Sequence, residues 1–125
     1  MNSMPSARLI IYPPAAGTWN MAVDEALLLS AAARQQLTLR IYRWQEPTLS
    51  LGYYQQHAQR SHQAASRRCP LVRRGTGGGA IVHDQEITFS LSAPVPDRLH
   101  PQITTWYELV HQSLVDTLTE HGAKT

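Results

Sequence analysis

The feature that most constrains the fold of this chain is a glycine-rich segment between two stretches that favour β-strands. Four glycines fall within the five residues from Gly75 to Gly79, and Arg73 and Arg74 come directly before them. Glycine reaches backbone angles closed to other residues and lets a ligand come close to the main chain. Successive N–H groups of such a loop can converge on an anion, and arginine adds forked donors. The segment therefore predicts a strand–loop–strand unit that binds a phosphate ester, such as a nucleotide or an acyl-adenylate.

Two common glycine motifs do not account for this segment. It lacks the Gly-Lys-Ser/Thr ending of the loop found in P-loop NTPases. Gly75, Gly77 and Ala80 match the spacing of the dinucleotide fingerprint, but that fingerprint opens a helix, and the residues that follow here favour a strand. A simple hairpin turn with solvated arginines stays open as an alternative. The arginines before the loop and His83-Asp84 after it favour a ligand site instead.

Around this segment, the pattern of apolar and polar residues predicts an α+β domain, with helices packed on a mixed, largely antiparallel sheet. Alternating or β-rich runs predict strands at 9–12, 38–44, 48–53, 70–73, 80–83 and 86–92. A turn at Glu46-Pro47 would join the second and third of these strands as a hairpin. Residues 55–65 are polar, which indicates a surface helix or loop.

Two helices are predicted. The first covers residues 21–34 with Asn20 as its N-cap, and its apolar arc is wide enough to predict that it is mostly buried. The second begins near Pro101 and ends before Gly122. Its apolar stripe consists of Ile103, Tyr107, Val110, Leu114 and Leu118.

Glu25 lies on the apolar side of the first predicted helix, three or four residues from Met21 and Leu28. A carboxylate in such surroundings needs a polar partner. We therefore hypothesise that Glu25 supports the glycine loop by pairing with Arg73 or Arg74, or by binding the loop amides. A solvated carboxylate near the positive end of the helix is the alternative.

Composition limits the classes of protein to which the chain can belong. Its 125 residues make one ordinary domain or part of a larger one, and its 16% of charged residues is low for a free-standing domain. The net charge is only +2 and Lys124 is the only lysine, so nucleic acid is not an expected partner. The N-terminal residues resemble neither a signal peptide nor a membrane span, which indicates a cytoplasmic protein with no membrane partner.

The cysteine and histidine residues do not form a recognisable metal or disulfide pattern. Cys69 is the only cysteine, which excludes a disulfide framework within the chain and suits a reducing compartment. We expect Cys69 to be a small buried residue. His83 and Asp84 are adjacent on a predicted strand and would point to opposite faces, so no metal site is predicted.

Three stretches together resemble the family of lipoate–protein ligases and octanoyltransferases, which are relatives of the biotin ligases. Residues 73–84 match the pattern Arg-Arg-x-Thr-Gly-Gly-Gly-Ala-Ile-x-His-Asp. Residues 20–28 resemble the family's first helix, and residues 47–52 with Gln55 resemble its second hairpin strand. The resemblance implies a biotin/lipoate ligase-like fold that is incomplete here, with residues 1–125 forming the N-terminal part of the catalytic domain.

The resemblance also implies an activity and a set of binding residues. Ligases of this family join lipoate to ATP, release pyrophosphate and pass the acyl group to a lysine of a carrier domain, whereas the transferases take the acyl group from a carrier thioester through a cysteine. ATP and lipoate would then be substrates, Mg²⁺ could accompany ATP, and the partners would be lipoyl carrier domains or acyl carrier protein. The residues implied to contact the acyl-adenylate are Arg74, Thr76, Gly77, Gly78, Gly79 and Ala80, with His83 in the same pocket.

The chain departs from the family pattern in two respects. The family's binding lysine, in a Lys-x-Asn-Gly context, is expected beyond Thr125, so no residue of this chain is given a catalytic role and these residues alone are not expected to be active. Gly79 is typical of the ligases, since the transferases often have arginine there, but residues 85–90 are closer to the transferases. Ligase, transferase and a non-catalytic module that binds a lipoyl-like acid or a nucleotide all stay open.

Overall fold

The structure is a computed structural model, and it describes residues 6–62, 64–95 and 103–124. The chain divides into two compact units, Met1–Pro94 and Val95–Thr125, which are described separately. The strands and α-helices, in chain order, are β1 Ser6–Ile11, α1 Gly17–Arg34, β2 Gln36–Tyr42, β3 Thr48–Leu51, β4 Leu71–Arg73, β5 Ile81–His83, β6 Thr88–Ser92 and α2 Ile103–Glu120. Two short 3₁₀ helices, His57–His62 and Ala64–Ser66, occupy the polar stretch after β3. The predicted α+β class is confirmed.

The strands of the first unit form two mixed sheets of three strands each. In the first sheet, β2 is central, with β1 parallel to it on one side and β6 antiparallel on the other. In the second sheet, β3 is central, with β4 parallel and β5 antiparallel. The predicted hairpin between residues 38–44 and 48–53 is therefore wrong. The two edges of β2 pair with β1 and β6, and the two edges of β3 pair with β4 and β5, so β2 and β3 belong to different sheets.

Helix α1 begins one turn earlier than the sequence predicted, after Ala16 in an extended conformation. It can begin there because Gly17 meets the second sheet, where a Cβ would lie 2.8 Å from Cγ2 of Thr48. Asn20, predicted as the N-cap, is instead inside the helix and fully buried. Its side-chain amide donates to the carbonyl oxygens of Ala15 and Arg43 at 3.3 and 3.1 Å. Asn20 thus ties the start of the helix to the chain on both sides of it.

The prediction that α1 is mostly buried is wrong for this structure. Its buried residues are Gly17, Asn20 and Ala31, whereas Leu28 and Leu29 are 55% and 73% exposed. The apolar arc is wider than the surface that the two sheets offer it. The helix therefore packs on the sheets along a narrow line that includes the small and polar residues Gly17, Asn20 and Ala31 together with Met21.

A cluster of polar side chains holds α1 on the first sheet. Arg40 of β2 is fully buried and donates to Asp24 Oδ1 at 2.8 Å and to Asn20 Oδ1 at 2.7 Å. The hydroxyls of Tyr42 and Ser90 also donate to the Asp24 carboxylate, at 2.8 and 2.6 Å. Burial, together with the nearby Asp24 carboxylate, raises the pKa of Tyr42 far above its usual range, so its hydroxyl stays a donor. A buried arginine is stable only when it is paired in this way.

The apolar core lies where α1 meets both sheets. It consists of Tyr42, Trp44 and Val72, with Met21 of α1 packed against them. Trp44 follows β2 and bridges to Ala15, so the chain passes from the first sheet to the second through the core. The side chains of Tyr42 and Trp44 therefore serve core packing. Cys69 was expected to be buried but is partly exposed.

The second unit contributes α2, whose predicted end is confirmed. The N–H groups of Gly122 and Ala123 donate back to the carbonyl oxygens of Thr119 and Leu118, and Gly122 has φ of 86°. A positive φ is the usual conformation of a glycine that ends a helix. The predicted start at Pro101 and the side chain of Ile103 lie outside the described residues. Within the described ranges, no helix is long and apolar enough to cross a membrane.

Candidate functional site

The glycine loop crosses the end of the central strand β3. Strand β4 reaches its last pair at Leu51↔Arg73 on one edge of β3, and β5 starts at Ser50↔Ile81 on the other edge. The loop between them must pass over Gly52, the next residue after β3. A Cβ at Gly52 would overlap the carbonyl oxygen of Gly78, so this crossing needs glycine at position 52.

The loop is held by its carbonyl groups. The carbonyl oxygen of Thr76 accepts from the N–H of Tyr53 at 2.8 Å. The carbonyl oxygens of Gly77 and Gly79 both accept from Nη2 of Arg74, at 2.9 and 2.8 Å. One guanidinium nitrogen thus fixes two peptide groups of the loop.

These anchors direct the amide groups of the loop the other way. No peptide bond in the described residues is cis, and in a planar trans peptide the C=O and N–H bonds point in opposite directions. The N–H groups of Gly77, Gly78 and Ala80 belong to the same peptides as the three anchored carbonyls. They therefore point away from Tyr53 and Arg74.

The amides of the loop are also free to bind. Among the described residues, none of the N–H groups from Gly75 to Ala80 donates a hydrogen bond. A Cβ built at Gly75, Gly77 or Gly79 would meet nothing within 4 Å, so open space adjoins the loop. Outward N–H groups beside open space are the backbone arrangement that binds anions. This geometry agrees with the ligand-loop interpretation and not with a closed hairpin turn.

The two arginines before the loop have different positions. Nη1 of Arg74 donates to the carbonyl oxygen and Oγ of Ser50 at 3.2 and 2.6 Å, and its Nη2 holds the loop. Both terminal nitrogens of Arg74 therefore bind the protein, and the predicted contact of Arg74 with the ligand stays a prediction. Arg73 is exposed and uses Nη1 to bind carbonyl oxygens of the turn after β3, at Gly52, Tyr53 and Gln55.

His83 lies on β5, close to the loop, and is 5% exposed. Its Nε2 is 2.7 Å from Ser50 Oγ, and its Nδ1 is 2.8 Å from Glu86 Oε1. The imidazole stacks on the Trp44 indole, with centroids 4.0 Å apart and planes at 9°. Burial lowers the pKa of His83 from its usual 6.5, against the opposing effect of Glu86. His83 is therefore neutral at neutral pH.

The partners of His83 fix the direction of each hydrogen bond. A carboxylate only accepts, so Nδ1 of the neutral ring donates to Glu86 and Nε2 accepts from the Ser50 hydroxyl. Ser50 in turn accepts from Arg74. The bonds therefore run one way, from Arg74 through Ser50 and His83 to Glu86. Ser50, His83 and Glu86 have the spacing of a serine nucleophile with its base, but Ser50 is 0% exposed and cannot meet a substrate.

The structure does not bring Glu25 to this site. The Glu25 side chain is exposed, and the arginine contacts described above go to Ser50 and to backbone carbonyls. The acidic residue that α1 turns towards the sheets is Asp24, which pairs with Arg40 and not with the loop. The exposed Glu25 agrees with the alternative of a solvated carboxylate. The helix starts one turn earlier than predicted, and its wide apolar arc does not fix which neighbour faces inward.

Sequence reasoning missed Ser50 and Glu86. All four residues of β3 are buried, and Thr48 and Ser50 alternate with Leu49 and Leu51. A polar face on a central strand is a signal that could have been used, because buried hydroxyls need partners. Glu86 carries no comparable signal, since it lies in a turn where a solvated carboxylate is ordinary.

A cleft of about 540 Å³ adjoins Trp44 and Glu86, two of the residues that contact His83. It is lined by Pro14, Arg43, Trp44, Asp84, Gln85, Glu86 and Ile87. Within the described ranges, no three side chains of the metal-ligating types come together.

The two remaining predicted contact residues lie on the loop and at its end. Thr76 is exposed on the loop and Ala80 is half-buried where β5 begins.

Comparison with known proteins places this geometry in a family. Residues 16–125 match the sequence family described as the lipoyl protein ligase A/B catalytic domain. The chain is 37% identical over 127 residues to the octanoyltransferase LipM of Kyrpidia tusciae, an alignment that covers 95% of this chain and 45% of that protein. The chain spans less than half the length of the curated relatives that it matches.

Solved structures show the same fold. A lipoate-protein ligase A bound with ATP is similar with a TM-score of 0.78 and 27% identity, covering 94% of this chain and 47% of that one. A bi-partite lipoate protein ligase from Thermoplasma acidophilum, studied with its E2 lipoyl domain, is similar with a TM-score of 0.77 and 27% identity, covering 95% and 47%. The two sheets, α1 and the glycine loop are thus parts of a known architecture.

Proposed function

Because this chain belongs to the lipoyl protein ligase A/B catalytic-domain family, we propose that it supplies the acyl-binding part of an enzyme that attaches octanoate or lipoate to a lysine of a carrier-protein domain. The observation that carries this proposal is the outward orientation of the N–H groups at Gly77, Gly78 and Ala80. These amides sit on a rigid support before any ligand arrives. Donors arranged in advance stabilise developing negative charge most effectively.

The chemistry of acyl transfer gives such amides a ligand. An acyl group that is to react with lysine is activated as an adenylate or as a thioester. The first carries a phosphate next to the acyl carbon, and the second forms an oxyanion when it is attacked. In this proposal, the loop residues that contact the acyl derivative are Thr76, Gly77, Gly78, Gly79 and Ala80. Arg74 and His83 hold the loop and its wall, and Arg73 supports the turn after β3.

Octanoyl transfer from an acyl carrier protein is the first candidate, because the curated relatives are octanoyltransferases. A lipoate ligase that uses ATP is the second. It is favoured by Gly79, where a Cβ would meet nothing within 4 Å, so that a bulky adenylate finds room beside the loop. The similarity to a ligase solved with ATP supports the same candidate. In either case, the enzyme's own binding lysine or acyl-accepting cysteine would come from the part of the enzyme that this chain does not span.

The test uses the natural full-length gene product and a purified lipoyl carrier domain. One reaction contains octanoyl acyl carrier protein, and the other contains lipoate, ATP and Mg²⁺. The mass of the carrier domain is measured after each reaction. An octanoyl adduct without ATP identifies a transferase, and a lipoyl adduct with pyrophosphate release identifies a ligase. An unmodified carrier domain in both reactions would refute acyl transfer.

A matched pair of variants connects that activity to the loop. Gly78 and Gly122 have φ of 93° and 86°, so alanine strains the backbone similarly at both positions. Gly78→Ala distorts the amide array, whereas Gly122→Ala lies just after α2. We expect the first variant to lose most of its acyl transfer and the second to keep it. Equal losses would show that backbone strain, and not the loop, controls the activity.

A further inference from the structure

We propose that Ser50, His83 and Glu86 are positioning residues that set the orientation of the loop amides through Arg74. This inference rests on the proposed function for its consequence in acyl binding. The claim that a buried chain of hydrogen bonds controls the loop does not depend on which reaction the enzyme catalyses.

The first step is the position of the Arg74 guanidinium. One terminal nitrogen holds the carbonyl oxygens of Gly77 and Gly79, and the other is fixed by Ser50, whose Oγ lies at 2.6 Å. Because the guanidinium is planar and rigid, the hydrogen bonds of Nη1 to Ser50 of β3 determine where Nη2 lies. The loop carbonyls, and with them the amides of the same peptides, follow Nη2.

The second step is the single hydrogen of the Ser50 hydroxyl. Ser50 accepts from Arg74 best when its own hydrogen is directed elsewhere, and Nε2 of His83 at 2.7 Å is the acceptor that takes it. Ser50 is 0% exposed, so water cannot replace His83 there. Neutral His83 with its hydrogen on Nδ1 is the form that completes this arrangement.

The third step is the support of the imidazole. Glu86 accepts from Nδ1, and the other Glu86 oxygen accepts from the Thr88 hydroxyl at 3.2 Å. Thr88 accepts from the Trp44 indole N–H at 2.8 Å, and the same indole stacks on His83. The ring is thus held at its edge and on its face, and its tautomer is set by Glu86.

Protonation of His83 would reverse one bond in this chain. The new Nε2–H would point at the Ser50 oxygen that already accepts from Arg74, so the Ser50 hydrogen would lose its acceptor and two cationic donors would face one hydroxyl. The charged groups that face His83 are Glu86 and Arg74, and Arg74 opposes the added charge. The hold on the loop therefore weakens as His83 gains its proton.

The experiment measures the loop itself. Nitrogen-15 spectra of the natural full-length protein are recorded without ligand for the wild type, Ser50→Ala, Glu86→Ala and Glu86→Gln. Ser90→Ala is the matched control, because it removes a strand hydroxyl that donates to a carboxylate in the other polar cluster. We expect Ser50→Ala and Glu86→Ala to shift the amide signals of residues 77–80. Glu86→Gln keeps an acceptor for Nδ1 and should shift them less.

Acyl-substrate kinetics extend the test. Ser50→Ala should raise KM about tenfold or more with a smaller change in kcat, a factor that corresponds to ~1.4 kcal/mol. Unchanged signals for residues 77–80 in Ser50→Ala and Glu86→Ala, or an equal change in Ser90→Ala, would overturn the inference. Should wild type fail to transfer acyl groups while the loop signals respond as expected, the proposed function fails and the positioning role is retained.

A titration of the wild type covers the case in which Ser50→Ala does not fold. The amide shifts of residues 77–80 should follow the same midpoint as the His83 ring signals. Loop amides that are insensitive to pH, or that titrate at a different midpoint, would contradict the coupling of His83 to the loop.

Discussion

Two arginines hold two regions of this molecule together, Arg40 where α1 packs on the first sheet and Arg74 at the glycine loop. Comparing their partners shows why the first region is structural and the second can bind a ligand. Arg40 is fully buried and meets the Asp24 carboxylate and Asn20, so its hydrogen bonds join α1 to β2. Arg74 is half-buried and holds carbonyl oxygens of a loop. An arginine paired with a carboxylate joins two elements together. An arginine bound to carbonyls leaves the N–H groups of the same peptides directed outward, where a ligand can use them.

The largest effect is expected in the scaffold. Asp24→Ala leaves Arg40 as a buried charge without its carboxylate, which should lower the free energy of unfolding by about 3–5 kcal/mol. Urea denaturation measures the change. The neighbouring exposed acid gives the control, since Glu25→Ala should change stability by less than ~0.5 kcal/mol. Similar losses in both variants would mean that the Arg40 cluster does not hold the helix.

A smaller effect on stability and a larger one on binding are expected at the loop crossing. Gly52→Ala places a methyl group against the Gly78 carbonyl, and overpacking of this kind destabilises by about 1–3 kcal/mol. It also displaces the loop, so acyl binding should be lost, as calorimetry with lipoate or an octanoyl derivative can show. Gly75→Ala meets nothing within 4 Å and should keep both properties. Normal binding by Gly52→Ala would contradict the close crossing.

Arg74→Lys tests the bridging role directly. A lysine ammonium retains the charge but lacks the planar fork that reaches Ser50 and two loop carbonyls together. We expect acyl affinity to fall about tenfold, or ~1.4 kcal/mol, with little change in stability. Arg73→Lys is the matched control, because one nitrogen of Arg73 makes the contacts described for it. Equal losses in the two variants would favour a simple charge effect.

The smallest effect is a dependence on pH. The pKa of His83 is lowered by burial from its usual 6.5, so in mildly acidic solution the unfolded chain binds more protons at this residue than the folded one. The contribution of His83 to stability is therefore complete above pH ~6.5 and is lost as the pH falls through its folded pKa. Denaturation at several pH values should show a weaker slope for His83→Gln than for wild type. An unchanged slope would mean that His83 is not the group responsible.

The sequence alone predicted most elements but not their partners. The strand patterns around residues 38–44 and 48–53 alternate in the same way, and alternation does not say which strand lies beside which. The split into two sheets depends on pairings between distant residues, such as Leu39↔Leu91 and Leu49↔Leu71. The turn signal at Glu46-Pro47 is local and carries no information about these distant strand pairings. The predicted hairpin was wrong for that reason.

The candidate site shows the same limit at the level of side chains. The glycines and arginines identified the loop because their residue types have special backbone and donor properties. The role of Arg74 depends on the directions of carbonyls in the folded loop, which residue type does not encode. The choice between Asp24 and Glu25 depends on the phase of α1, and that phase was fixed by Gly17 and the buried Asn20.

The glycines at this crossing are of two kinds, those that the folded protein requires and those that leave space beside the loop. Gly52 and Gly78 are required by the protein, the first by contact with a neighbouring carbonyl and the second by its φ of 93°. Gly77 and Gly79 have no protein atom within 4 Å of where a side chain would start. A methyl group added at either of those two would be tolerated by the empty protein and would meet only an incoming molecule. Alanine at either of these two positions should therefore leave the free energy of unfolding unchanged but weaken ligand binding. The positions where only binding is lost would mark the part of the loop that the ligand contacts.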